Sequence, residues 1–205
     1  MKDTEQKVST EELILEAAVR EFTEKGFAGA RTTSIAEAAG VTHAMLHYYF
    51  RTKEKLYDRV LESRIQLVGN MLTSALGEDS LPVRQRVEHA VSSHFDFLQA
   101  HPDFPQYVLS VMRDRPETLQ QLREQVVGRA EKIAASLQAQ IDAEAARGEC
   151  RQVDARMLML DILSLNIFPF LAGPLVELFL GETADISLER RKQENITTIL
   201  CKLRP

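Results

Sequence analysis

The chain has 205 residues, of which 44% are hydrophobic and 27% charged, and a net charge of −5. A chain of that length buries enough surface to fold without disulfide or metal staples. Its acidic balance excludes a uniformly basic nucleic-acid binder and leaves only a local positive face for such a role. Trp is absent, and nine Gly with seven Pro give little of the turn punctuation that strand-dense proteins carry, so an all-helical chain is expected. Cys150 and Cys201 lie far apart without metal-ligand spacing. With a polar opening, MKDTEQKVSTEE, that does not resemble a signal peptide, they point to a reducing cytoplasm. The most apolar stretch, 157–180, is interrupted by Asp161, Asn166, Pro169, Pro174 and Glu177, so a membrane span is rejected.

Residues 1–8 are expected to be disordered. Ser9 followed by Glu12 forms a capping box, and Leu13, Ile14, Ala17, Ala18 and Phe22 continue at helical spacing to Gly26. A short second helix is expected over 33–39, stopped by Gly40, with Thr32 as its cap. Thr42 caps a third over about 42–49, and Thr52 caps a long fourth with Leu56, Val60, Val68 and Leu72 on its inner side. After the break at 77–80, Val83, Val87, Val91, Phe95 and Leu98 mark a fifth helix ending near His101. A sixth spans about 105–113. Pro116 suits the first turn of a seventh, which Leu119, Leu122, Val126, Ala130, Ile133, Leu137 and Ile141 hold in register until Gly148. An eighth begins near Asp154 and is apolar nearly all round from Met157, with kinks or splits expected at both Pro169 and Gly173-Pro174. The ninth, 188–203, puts Ile196, Ile199, Leu200 and Leu203 on one face.

The window TTSIAEAAGVTHAMLHYYF (32–50) has the parts of a helix-turn-helix. Two short helices crossing steeply need a small residue at the crossing, which Ala36 supplies with Ala39 nearby. The turn needs positive φ, which Gly40 adopts without steric cost, and Ile35, Val41 and Leu46 sit where apolar plugs belong. Spacing alone fits an αα-hairpin within a bundle equally well. Between Arg31 and Lys55 four basic residues, Arg31, Arg51, Lys53 and Lys55, stand against Glu37 and Glu54, a small bias that permits DNA contact.

The surroundings decide between the two. AAVREFTEKGF (17–27), SIAEAAGV (34–41) and THAMLHYYFRTKEKLYDRVL (42–61) resemble the TetR/AcrR repressor family, above all in the aromatic run that ends at Phe50 followed by a basic residue, Thr52, Lys53 and Glu54. The resemblance covers about the first sixty residues. Beyond them only helix count, helix order and length agree. It implies an all-α protein of about nine helices: an N-terminal three-helix helix-turn-helix domain at 1–52, then a helical bundle for ligand binding and dimerisation at 53–205.

What it implies for residues is specific. The third helix would enter the major groove, with Thr42, His43, Ala44, Met45 and His47 toward base edges and Thr33 beside them. Thr32, Tyr48, Tyr49 and Lys53 match phosphate-contact positions, and Arg31 is placed to reach a phosphate or the minor groove. No Arg, Gln or Asn stands at the base-reading positions, so shape and water are expected to carry part of the readout. The expected partners are double-stranded operator DNA, a second copy joined through 157–180 and 188–203, and a small hydrophobic ligand. Phe95, Leu98, Phe104, Tyr107, Val108, Val111, Met112 and Phe168 are the expected ligand lining, each also compatible with plain core.

Other chemistries fall away. His43 and His47 have the i, i+4 spacing of a metal pair without a third ligand nearby, and His89, His94 and His101 suit surface or core roles. Asp161 and Asn166 are expected to hydrogen-bond inside a helix interface. No Gly-rich phosphate loop, Gly-x-Ser-x-Gly or His-Glu-x-x-His occurs, so neither enzyme activity nor a cofactor is expected. Two rivals remain: a regulator without a ligand, and an all-helical carrier or enzyme whose first helices are only structural.

Overall fold

The structure is a computed structural model that describes residues 9–76, 80–114, 116–180 and 187–205. Expectations at 1–8 and 77–79, and for the side chains of Val68, Leu72, Leu119, Leu122, Val126, Pro174 and Glu177, lie outside what is described. The described residues form ten helical segments and no strand: α1 (Thr10–Gly29), α2 (Thr32–Ala38), α3 (His43–Phe50), α4 (Lys53–Leu76), α5 (Val83–Ala100), α6 (Phe104–Asp114), α7 (Pro116–Ala146), α8 (Ala155–Leu171), α9 (Gly173–Leu180) and α10 (Leu188–Cys201). The tenth arises because the expected eighth helix is cut at Ala172, while Pro169 stays inside α8. None of these helices is long and apolar enough to cross a membrane.

The chain divides into two compact units. The first runs to Gln66 and takes in 106–119; the second holds Leu67–Pro105 and Gln120–Pro205. The division thus falls at 66/67, inside α4, rather than at 52/53, and most of α6 joins the first unit. The reason is aromatic packing. Tyr57 of α4 meets Phe22 edge-on at 4.8 Å and Phe27 at 5.1 Å, and Tyr107 of α6 lies 6.0 Å from Tyr57. Ile14, Phe22, Ile35, Leu46, Phe50, Leu56, Val60, Tyr107 and Val111 are all buried in this unit. Each such side chain stabilises the fold by about 1.5–3 kcal/mol. Two ion pairs tie α1 to α4, Glu11 to Arg59 at 3.3 Å and Glu16 to the buried Arg64 at 2.7 Å.

The second unit is a helical bundle around Val83, Val87, Val91, Leu137, Ile141, Leu158, Ile162, Ile199, Leu200 and Leu203. The start of α5 is closed by a side chain from another helix. Pro82, the N-cap of α5, offers no capping oxygen, and the buried Glu144 of α7 accepts from Val83 N at 2.9 Å instead. Gln140 and Ser136 of α7 accept from the buried Arg86 guanidinium at 2.9 and 3.1 Å. The eighth helix begins next to Asp154 as expected, and Asp154 caps it, accepting from Met157 N at 2.9 Å. At its centre a chain of amides joins three helices. Asn166 Nδ2 donates to Val91 O at 2.9 Å and lies 3.3 Å from His94 Nδ1, while Asn195 Nδ2 donates to Asn166 Oδ1 at 2.9 Å. The buried Asn166 therefore has the helix-interface role expected of it. Asp161 instead pairs with Lys202 at the surface.

Candidate nucleic-acid interface

The two short helices are set by local chemistry at three points. At the entry, Glu21 reaches from α1 to accept from Arg31 N at 3.0 Å and pairs with Lys25 at 2.8 Å. Burial opposes ionisation of that carboxyl, but Lys25 and the Arg31 N–H outweigh it and hold Glu21 below the usual carboxylate range. At the turn, Gly40 has φ 66°. Its N–H donates to Glu37 O at 3.0 Å and the N–H of Val41 to Ala36 O at 3.0 Å, the paired bonds of a Schellman end. At the start of α3, Thr42 Oγ1 accepts from Met45 N at 3.2 Å. Ile35, Ala36 and Leu46 are buried at the crossing, as their spacing predicts, while Val41 is only half-buried.

Contrary to expectation, Thr32 does not cap α2: Arg31 is the N-cap residue, without a side-chain bond, and Thr32 Oγ1 lies 3.0 Å from His43 Nε2. The hydroxyl thus links α2 to α3.

The interface side chains crowd onto one exposed surface. Arg31, Thr33, Thr42, His43, Ala44, Met45, His47, Tyr48 and Tyr49 are all exposed, Tyr48 to 82%, whereas Thr32 and Lys53 are half-buried. Tyr48 and Tyr49 meet edge to face at 5.5 Å. Lys53 is held from behind: its ammonium donates to Ala28 O at 3.3 Å and stands 4.9 Å above the Phe27 ring. Gly26, where the first helix is expected to end, has φ 66° and ψ 173° and breaks α1 there, and Phe27 N donates to Asp114 Oδ2 of α6 at 3.4 Å. One further feature had no signal in the sequence. Arg51 has φ 59° although it is not glycine, and Thr52 N donates to Phe50 O across it at 2.6 Å. That three-residue γ-turn is a strained conformation of the kind that gathers at functional sites. Thr52 Oγ1 then accepts from Lys55 N at 3.2 Å and opens α4.

The expected ligand lining is less uniform. Phe95, Leu98, Tyr107 and Val111 are fully buried, Phe104 and Val108 half-buried, and Met112 and Phe168 each 51% and 51% exposed. Tyr107, Val108, Val111 and Met112 belong to the first unit, the other four to the second. Phe170, not among the expected lining residues, is the α8 ring that meets Phe95, at 5.4 Å, and Phe97 packs on Phe104 at 5.3 Å. A half-open cleft of about 280 Å³ lies elsewhere in the second unit, lined by Ala134, Ala135, Gln138, Asp154, Ala155 and Arg156. Among the described residues no group of three or more His, Cys, Asp or Glu is arranged to hold a metal ion.

Comparison with known proteins adds to this geometry. The family described as bacterial regulatory proteins, tetR family, matches residues 14–60. The transcriptional repressor NicS of Pseudomonas putida is 36% identical over 95 residues, which cover 46% of this chain and 44% of NicS, so the chain spans less than half of that relative's length. Among solved structures, SCO4942 from Streptomyces coelicolor superposes with a TM-score of 0.69 at 22% identity, covering 96% of this chain and 100% of that one. AibR, solved in complex with isovaleryl coenzyme A and operator DNA, superposes with a TM-score of 0.63 at 17% identity, covering 93% and 97%. At such identities the superpositions show a shared fold.

Proposed function

We propose that this chain is a homodimeric repressor of transcription of the tetR family, a reading supported by the match of that family of bacterial regulatory proteins to residues 14–60. It binds a palindromic operator through α2 and α3 and is released by a small hydrophobic molecule bound within residues 53–205. It acts as a regulator, not as an enzyme. The observation that carries the DNA part is the exposed surface of α3. Thr42, His43, Ala44, Met45, His47, Tyr48 and Tyr49 lie free of the core while Leu46 and Phe50 anchor the helix beneath them. A helix held by two apolar plugs and exposed along its remaining length fits the major groove. Tyr48, Tyr49, Lys53 and Arg31 are assigned to phosphates, and the residues from Thr42 to His47, with Thr33, to base edges.

Ala44→Glu tests this part without touching the core, because Ala44 is exposed. A carboxylate facing phosphates at about 4 Å costs on the order of 1 kcal/mol even in water. Retention of duplex DNA at low salt is expected to fall at least ~tenfold over the two reading heads, with the thermal midpoint unchanged. Full retention would contradict the placement of α3.

Dimerisation is supported by α8. It buries Ala155, Leu158, Ile162 and Asn166 and leaves Met157, Leu160, Leu163 and Phe168 outside. A helix apolar on both faces needs cover on both, and a two-fold partner supplies the second. Leu175, Leu178 and Phe179 extend that outer surface along α9. The contribution of α10 is smaller than its sequence suggests, because Ile196, Ile199, Leu200 and Leu203 are spent on the core of their own protomer. Repression is supported by the likeness to the transcriptional repressor NicS, and a small-molecule effector by the likeness to AibR, which was solved with isovaleryl coenzyme A.

Effector binding is further supported by Tyr107, whose hydroxyl is buried without a hydrogen-bond partner among the described residues. Burial pushes its ionisation far above the usual phenol range, so the group remains an unsatisfied O–H. Such a group costs about 1–3 kcal/mol unless a ligand or water meets it. Tyr107→Phe is therefore expected to raise stability in denaturant by ~1 kcal/mol and to blunt release from DNA by a panel of hydrophobic compounds. Destabilisation by the same substitution would mean the hydroxyl is already satisfied.

A further inference from the structure

His43 and His47 stand one turn apart on the exposed side of α3, their rings edge to face with centroids 4.4 Å apart. The structure gives each a polar partner, and the two partners differ in what they fix. His43 Nε2 lies 3.0 Å from Thr32 Oγ1. A hydroxyl both donates and accepts, so this contact is satisfied by either tautomer, and His43 acts as a strut between α2 and α3. His47 Nδ1 lies 2.9 Å from the carbonyl oxygen of Arg51. A carbonyl oxygen has no hydrogen to give, so the hydrogen in that contact sits on His47 Nδ1. In a neutral imidazole the other nitrogen, Nε2, is then an acceptor only.

The carbonyl that sets this tautomer comes from the γ-turn. Arg51, at φ 59° and ψ −49°, closes the Phe50–Thr52 bond and follows α3 as its C-cap. The same N–H of Arg51 still donates back to His47 O at 2.9 Å, so the residue and its imidazole are clamped from both ends. The strained turn is thereby given a role beyond ending the helix.

The geometry points to His47 as a specificity-determining residue that reads an exocyclic amino group in the major groove, the N6 amino group of adenine or the N4 amino group of cytosine. Those are the two hydrogen-bond donors that bases display there; guanine and thymine present acceptors to a side chain at the same place. An Nε2 fixed as acceptor discriminates against both. The inference rests on α3 entering the major groove, and it goes further by naming the chemical group that one residue recognises.

Two measurements on the full-length protein test it. In the first, histidine is labelled with ¹⁵N and long-range ¹H–¹⁵N correlations are recorded at pH 8.5, with His47 assigned by its loss in His47→Ala. The expected pattern is a protonated Nδ1 and a bare Nε2; a protonated Nε2 overturns the inference. In the second, an operator recovered from a random duplex pool is scanned with bases that lack the amino group, purine for adenine and 2-pyrimidinone for cytosine. At one position in each half-site this deletion is expected to weaken wild-type binding at least ~fivefold and to leave His47→Ala unaffected. Equal losses in both proteins at every position overturn the inference while leaving the DNA-binding function standing. A pool from which the wild-type protein enriches no sequence overturns both.

Discussion

Leu160→Glu is expected to convert the protein into a folded monomer that has lost most of its operator affinity. Leu160 lies on the outer face of α8, 52% exposed in the protomer, whereas Leu158 and Ile162 beside it are buried. The substitution therefore leaves the protomer core intact. In a two-fold interface it acts twice, since both copies present the same patch. Each copy loses the burial of a leucine, about 1.5–3 kcal/mol. Each also meets the larger penalty of an unpaired carboxylate in an apolar contact. The dimer then dissociates at working concentrations. A monomer engages one half-site at a time and forgoes the effective concentration that linking two reading heads supplies, so affinity falls by about 10²–10⁴. Sedimentation is expected to give half the wild-type mass with an unchanged far-ultraviolet spectrum. Persistence of a dimer of full affinity would place the interface away from the α8–α9 surface.

The second large effect is on acid stability, and it arises from His94. This ring is buried beside Asn166, and burial lowers its pKa from 6.5 to about 4. The unfolded chain takes up the proton as pH falls below about 6.5, and the folded chain cannot follow until about 4, so unfolding gains in that window. Stability is full above pH 6.5, about 2 kcal/mol lower at pH 5, and about 3 kcal/mol lower below pH 4. The carboxyls held low by their partners, Glu21 and Asp114 among them, come into play only at the acid end of that range. Denaturant titrations between pH 7 and 5 separate the two. The wild-type slope is expected to be steep and that of His94→Gln shallow. A direct NMR titration of His94 should find it neutral in the folded state at pH 5. A charged His94 at that pH, or equal slopes in the two proteins, would contradict the assignment.

The residues explain which parts of the molecule were legible beforehand. The helix-turn-helix is written in local chemistry: Gly40 takes positive φ, Thr42 caps its own helix, and the small Ala36 is buried at the crossing. The capping box at Ser9 and the end of α7 at Gly148 are of the same kind. What was not legible depends on partners distant in sequence. Thr32 carries the right hydroxyl for a cap, yet His43, eleven residues on, takes it. Lys53 matches a phosphate-contact position, and nothing in the sequence announces that Ala28 O and the Phe27 ring hold its ammonium. Phe168 and Phe170 are equivalent in composition, and only the rotation of α8 decides that Phe170 meets Phe95 while Phe168 faces out. The packing of Tyr107 on Tyr57, which draws α6 into the first unit, is announced by no local motif. Arg51 gave no sign at all, because nothing in an arginine announces positive φ.

The measurement that bears most directly on the central claim is selection of bound sequences from a random duplex pool by purified protein at near-physiological salt. A pair of inverted half-sites is predicted, their centres about 34–36 Å apart or a multiple of that. A family relative with a known operator, run in the same buffer, fixes the sensitivity of the assay. Enrichment of an unpaired or direct-repeat site would contradict the two-fold reader, and no enrichment where the control succeeds would contradict DNA recognition by α3 altogether.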